Sequence, residues 1–337
     1  MAMSTEAQIA AWESLRESAG PFEFEREYVL QRPPAPTGIT PLDRMLGGGL
    51  HSGTYTIVGG DPGSGKTALA CKACYTMALM GRFPVFYSFE MTKMQLVSRL
   101  LSVHTRMEQK RARDAGEWPR LEQVEWAKIR DELKISESDL ARAFDSGERA
   151  QYETVMRYVS RHGDDDKVLR AWYDFRDTVF PKMIIRDDVQ DIEQVTNEVG
   201  VLCDSGLHPC VIVDYLQLAA AGDNDEYQLV TNASHVLQKL AKRHDLPILL
   251  VSSLRNLSKA ERDDDPQLSQ FRGSGHVGYD AGAAIVLRKR GEKVHHDGIG
   301  TCQPITVHVI KNRFGEVGEI KLDFSGALNV FAAPLRK

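Results

Sequence analysis

An α/β fold, with a mostly parallel sheet flanked by helices, is the prediction for this 337-residue chain, and it rests on three observations. From about residue 37 onward, apolar runs of strand length alternate with helical patterns. Several of those runs end in polar residues: Pro84 to Phe89 ends at Glu90, Cys210 to Val213 at Asp214, and Pro247 to Val251 at Ser252 and Ser253. Ligands of open α/β sheets sit off the carboxyl ends of the strands, so these ends are expected to converge on one ligand. The third observation is the stretch GDPGSGKT, Gly60 to Thr67, which joins the apolar run Thr54 to Val58 to a helix-favouring stretch, Ala68 to Met80.

In chain order, Ser4 to Ala19 places Ile9, Trp12 and Leu15 near one face of a short N-terminal helix, with Thr5 and Gln8 spaced as a capping box. Pro33, Pro34 and Pro36 then make a stiff linker, so residues 1–36 form a leading segment and 37–337 the main domain. Beyond the four strands already placed, strands are expected at Lys182 to Ile185, Ala283 to Leu287, Ile305 to Ile310 and Glu319 to Phe324. Between about residues 105 and 180 the pattern turns charged and helical, with Trp118, Trp126 and Trp172; a segment this long is a helical insertion and not a plain loop. Its Lys110, Arg111 and Arg113 read better as a solvated face than as a nucleic-acid contact, because charges of both signs surround them.

Composition sets outer bounds. With 42% hydrophobic and 26% charged residues the chain reads as an ordinary soluble protein, large enough for one α/β domain with an insertion. Its first residues carry Glu6, Glu13 and Glu17 and no apolar stretch of signal-peptide length, and no run is long enough to span a membrane. Five scattered cysteines suit reduced thiols and a cytoplasmic location. Cys71 and Cys74 form a CxxC, but no second pair completes a zinc site, and packing behind the glycine-rich loop is the better account. A net charge of −5 argues against a wholly basic coat while leaving room for a local basic channel.

The spacing of GDPGSGKT has a chemical reason. Across Gly60, Asp61, Pro62, Gly63, Ser64 and Gly65, small residues let successive backbone N–H groups curl around a β-phosphate. Lys66 reaches the β- and γ-phosphates and the Thr67 hydroxyl holds Mg²⁺. In its strand-to-helix context the stretch reads as a nucleoside triphosphate site, with ATP and Mg²⁺ as the expected cofactors. Asp214, ending an apolar strand, supports the same metal. Glu90 could polarise the water that attacks the γ-phosphate, or could be a simple partner of a helix dipole; position alone does not choose.

Six segments in order then carry a resemblance: residues 37–67, FYSFEM with Gln95, Leu96 and Arg99, VIVDYLQL (211–218), residues 237–254, LSQFRGSGHVGYDAGAAIVL (268–287) and VIKNRFGEVGEIKLDF (309–324). Together they resemble the C-terminal motor domain of DnaB-type replicative helicases, from about Thr37 to Phe331. The resemblance implies a RecA-like ATPase core with Glu90 as catalytic base. It implies Lys311 and Arg313 as a pair of cations acting on a neighbour's γ-phosphate, against the plainer reading of solvated strand-end charges. It also implies that Arg272, Gly273, Ser274 and Gly275 line a central channel and touch single-stranded DNA, where an ordinary flexible loop is the plain alternative. The implied assembly is a homo-oligomer, a hexamer, with a loader or other replication protein as a further partner.

The chain departs from the family's pattern in three places. Ser253 stands where the family usually has a sensor glutamine; residues 219–227, AAAGDNDEY, are acidic where basic residues would grip DNA; and the chain has no room for the family's N-terminal helical domain, so primase recruitment through that domain is not expected. The first reading is therefore a ring-shaped ATP-dependent DNA helicase of a phage, plasmid or other mobile element. The second, favoured by Ser253 and the acidic loop, is a RecA-like ATPase switch or loader acting on a protein partner. A silent nucleotide-binding scaffold is disfavoured by the joint presence of Lys66, Glu90 and Asp214.

Overall fold

Strands that are buried on both faces need continuous apolar runs, and the centre of the sheet has them. In the computed structural model, β1 (Thr54–Gly60), β2 (Pro84–Ser88), β4 (Cys210–Asp214) and β5 (Pro247–Val251) are buried along their whole length. The residues described are 32–114, 174–219, 226–258, 261, 264–272, 275–296, 299–326 and 328–335. The expected N-terminal helix, Trp118, Trp126, Trp172, most of the acidic loop, Gly273 and Ser274 lie outside them, as do the side chains of Lys110, Arg111 and Arg113.

The remaining strands are β3 (Ile184–Arg186), β6 (Ala283–Lys289), β7 (Val294–His296), β8 (Gly300–Asn312), β9 (Gly318–Ser325) and β10 (Val330–Ala332). The sheet order is β10-β9-β8-β6-β1-β5-β4-β2-β3, with β7 paired to β8. From β3 to β6 every pairing is parallel. From β6 to β10 every pairing is antiparallel, so a hairpin-built wing extends the parallel core.

The helices are α1 (Thr40–Met45), α2 (Lys66–Leu79), α3 (Lys93–Asp114), α4 (Ile192–Asp204), α5 (Leu216–Ala219), α6 (Glu226–His244) and α7 (Gly275–Asp280). One face of the sheet, with Val58, Phe86, Ile212 and Ile285, packs on α2 and α3. The other, with Ile57, Val213, Leu250 and Ala284, packs on α4 and α6. Each large aliphatic side chain fully buried there, such as Leu69 or Leu237, contributes about 1.5–3 kcal/mol by its removal from water. α2 is buried nearly all round, and this accounts for Cys71 and Cys74: both thiols are free and buried, and burial pushes that of Cys71 up to about 12. Among the described residues no helix is long and apolar enough to cross a membrane.

The described boundaries differ from the expected ones at the insertion. α3 runs without a break to Asp114, so the first residues past 105 continue a core helix. Its N-terminus is a capping box: Thr92 Oγ1 accepts from the Gln95 N–H at 3.3 Å, and Gln95 Oε1 accepts from the Thr92 N–H at 2.9 Å. Residues 175–182 return as single π and 3₁₀ turns before β3. That return is anchored by buried His104, whose Nδ1 lies 2.8 Å from the Tyr75 hydroxyl and whose Nε2 lies 3.0 Å from Asp174.

Candidate nucleotide site and coupling loop

Gly65 closes the phosphate loop with φ +99° and starts α2 with no side-chain cap, so the first helix amides are open to an anion. A Cβ there would also meet the stacked rings of Phe324 and Phe331 at 3.2 Å. A Cβ on Gly60 would lie 2.5 Å from the Leu287 carbonyl oxygen, because the loop is fastened tightly to β6. The fastening is double: Asp61 N–H donates to Leu287 O at 3.1 Å, and Lys289 N–H donates to Asp61 Oδ2 at 3.1 Å. Lys66 Nζ lies back across the loop, donating to the carbonyls of Gly60 (3.0 Å) and Asp61 (3.3 Å). Burial lowers its pKa, and Asp214, Glu90 and Asp61 pull it back up.

Asp214 ends β4 with 1% of its surface exposed, and among the described residues its carboxylate has no well-formed hydrogen bond, the Thr67 hydroxyl being a loosely placed partner. Burial raises its pKa to about 6; the Thr67 hydroxyl, Arg99 and Lys66 oppose that rise, while Glu90 adds to it. A buried carboxylate with idle lone pairs, beside the first hydroxyl of α2 and an open phosphate loop, fits the protein half of a nucleotide-bound Mg²⁺. Such an ion takes one or two side chains and completes its shell with phosphate and water.

Glu90 is exposed and lies two residues beyond Ser88, the register partner of Asp214. It does not enter a helix, since α3 begins only at Lys93. A turn holds it instead: Ser88 Oγ accepts from the Met91 N–H at 3.0 Å, and the Phe89 N–H donates to Asp214 O at 2.7 Å. The Glu90 carboxylate acts electrostatically on Lys66, Asp214 and Arg99. Arg99 is half-buried on α3, and Lys289 places Nζ where it would be 3.3 Å from a Cβ on Gly63. Neither was given a role from sequence. A basic residue just past an apolar strand that ends level with the phosphate loop is the one signal that could have found Lys289.

Lys311 and Arg313 are not gathered into this site. Lys311 pairs with Ala284, three residues before the Leu287 that meets Gly60, and its Nζ donates to the carbonyls of Gly278 (3.2 Å) and Tyr279. Those carbonyls belong to α7, which packs on the face opposite α2. Arg313 is exposed just past the end of β8, with its N–H on Gly282 O at 2.9 Å. Burial lowers the Lys311 pKa and the neighbouring Arg313 lowers it further. Within one chain Lys311 is held on the α7 side of the sheet, three register positions from Gly60.

Arg272 is exposed, and its backbone is pinned to the end of β5: its N–H donates to Ser253 O at 2.9 Å. Its carbonyl accepts from Gln217 Nε2 at 2.9 Å. Of the loop expected at 272–275, Arg272 and the backbone of Gly275, which begins α7, are described.

These features define a P-loop nucleotide-binding protein with a RecA-like core. The chain belongs to the family described as "DnaB-like helicase C terminal domain", whose profile matches residues 35–162 and 172–333. It is 26% identical over 300 residues to the replicative DNA helicase DnaB of Leifsonia xyli, covering 88% of this chain and 55% of that protein. It is 25% identical over 301 residues to a probable plasmid replicative DNA helicase of Chlamydia trachomatis, with 88% and 54% covered. The chain thus spans about half the length of the curated relatives it matches. In fold it is similar to a solved ATPase domain, at TM-score 0.63, 20% identity and 98% coverage of both chains. A DnaB-like replicative helicase solved in a study of its interactions with primase gives the same TM-score and identity, with 99% of this chain and 68% of that one covered.

Proposed function

We propose that the chain is the motor of an ATP-dependent, ring-forming DNA helicase that moves along single-stranded DNA, in the cytoplasm, serving a phage, plasmid or other mobile replicon. The observation that carries the reading is the division of labour across the sheet: the phosphate loop with Asp214 and Glu90 in one place, and two cations, Lys311 and Arg313, away from it. Such a chain needs a neighbour to complete its site, and head-to-tail contacts that close make rings. A hexamer is the expected closure, and the family membership supports it.

In this reading the Gly60 to Gly65 amides and Lys66 bind and orient the phosphates of ATP. Thr67 and Asp214 hold Mg²⁺, which when bound neutralises charge on the β- and γ-phosphates. Glu90, held by the Ser88 turn near the end of β2, accepts the proton of the attacking water. The planar guanidinium of a neighbour's Arg313 stabilises spread phosphoryl charge, with Lys311 released from the α7 carbonyls to join it. Arg272, with Gly273, Ser274 and Gly275, grips the strand's phosphates. A loader or other replication protein is a further partner of this assembly.

The test is whether single-stranded DNA raises the ATPase rate and whether a forked duplex is separated in an ATP-dependent way. Ser253 favours a second reading, an ATPase that switches a protein partner: its side chain is too short to reach as a glutamine would, and its buried hydroxyl has no hydrogen-bond partner among the described residues. Hydrolysis indifferent to DNA but raised by a protein fraction would favour that reading over the first.

A further inference from the structure

The primary amide of Gln217 is the one side chain that bonds to both the end of β5 and the backbone of the 272–275 loop among the contacts described. It sits on α5, three residues after Asp214. Its Nε2 donates to Ser252 Oγ at 2.9 Å and to Arg272 O at 2.9 Å, and its Oε1 accepts from the Ser253 N–H at 3.1 Å. This pattern fixes the amide's orientation, since Arg272 O can only accept and Ser253 N–H can only donate. Both Nε2 hydrogens are used.

The groups it joins are themselves fixed. Ser252 is fully buried, and its N–H donates to Val58 O at 2.9 Å, in the strand that feeds the phosphate loop. Arg272 N–H closes the same circuit on Ser253 O, and Leu254 pairs with Phe271. A movement at the carboxyl end of β4 therefore reaches Arg272 through this one side chain, while the end of β5 is also joined to Arg272 by backbone bonds. The family's usual glutamine is absent at 253, and here the serine backbone is read by a glutamine from the neighbouring strand's first turn.

We propose that Gln217 is a positioning residue that carries the nucleotide state of the Asp214 and Ser252–Ser253 strand ends to Arg272, the first residue of its loop. The proposal rests on the reading of that loop as the contact with single-stranded DNA. Gln217 touches neither phosphate nor strand in this role. Removing it should leave each site working and break the communication between them.

The experiment compares full-length wild type with Gln217→Ala and Gln217→Glu. The glutamate keeps an acceptor for Ser253 N–H but loses both donors. Hydrogen exchange over residues 268–282 is measured with and without a non-hydrolysable ATP analogue and Mg²⁺, and ATPase rates are measured with and without oligo-dT. Wild type should change its loop exchange on binding the analogue. Both variants should remain cooperatively folded, melting within about 5 °C of wild type, and bind a fluorescent nucleotide within about threefold, yet lose that exchange response, and stimulation by oligo-dT should fall by about five- to tenfold, the lower range of ordinary coupling between sites. A merely structural role would lower the melting temperature and nucleotide affinity together instead. Gln217→Ala with a wild-type exchange response, wild-type protein with none, or full stimulation in both variants would each overturn the proposal. If wild type responds in exchange and the variants do not, but oligo-dT never affects hydrolysis, the linkage stands and the helicase reading fails.

Discussion

Replacing Asp214 by asparagine should make the nucleotide-free protein more stable while removing its metal support. The carboxyl is 1% exposed, lacks a well-formed hydrogen bond, and has its pKa raised from 3.8 to about 6. At about 1.4 kcal/mol per pH unit, holding it ionised at pH 8 costs about 3 kcal/mol. Asparagine removes that cost but leaves an N–H with a poor partner, worth about 2 kcal/mol. A net gain of about 1 kcal/mol, or about 2 °C in melting temperature for a domain of this size, is expected. The pH dependence tests the cause. A carboxyl whose folded pKa is raised keeps, in the native state, a proton that the unfolded chain has released, so its contribution to stability falls as pH rises from 3.8 through 6. The advantage of Asp214→Asn should therefore disappear between pH 8 and pH 5, where the protonated wild-type carboxyl recovers about 1 kcal/mol. With Mg²⁺ and ATP the order should invert, because only wild type gains binding energy through the ionised carboxylate. Calorimetric melts at several pH values check this, and an advantage that is absent at pH 8 or independent of pH would refute the reasoning.

Lys66→Ala should abolish hydrolysis and weaken nucleotide binding, read by phosphate release and fluorescent-nucleotide titration. Glu90→Gln should bind ATP normally and turn it over about a hundredfold more slowly, as when a general base is lost; normal turnover would remove Glu90 from that role. Arg272→Ala should weaken oligo-dT binding alike for all sequences and reduce the salt slope by about one phosphate, with basal hydrolysis kept. Mixing Lys66→Ala with Arg313→Ala should restore hydrolysis on subunit exchange, since some interfaces regain an intact loop and an intact guanidinium. Mixed rings detected by mass spectrometry but silent at every ratio would count against a shared site.

The residues that sequence made legible are those whose chemistry is local. Gly60 to Thr67 and Asp214 announce themselves because the loop is contiguous and β1 and β4 are uninterrupted apolar runs. The antiparallel wing was harder to read: β7 and β10 are three residues each, too short for any period, and Pro304 and Gly300 hide the first half of β8. Gln217 could not be singled out at all. In YLQLAAA it looks like the polar position of a helical turn, and its three partners come from residues 252, 253 and 272, which only the parallel order of β4 beside β5 brings near. Likewise nothing in KNR says that α7 would occupy Lys311 from the far face of the sheet.

The bonds from Lys66 to the Gly60 and Asp61 carbonyls make the lysine an internal competitor for its own ligand. An incoming anion must break both bonds, whatever its size. A lone phosphate recovers that loss through few contacts, whereas a triphosphate spreads it over the whole loop, the metal and the helix amides. On the proposed reading, the same two bonds would tilt the site against orthophosphate relative to a nucleoside triphosphate.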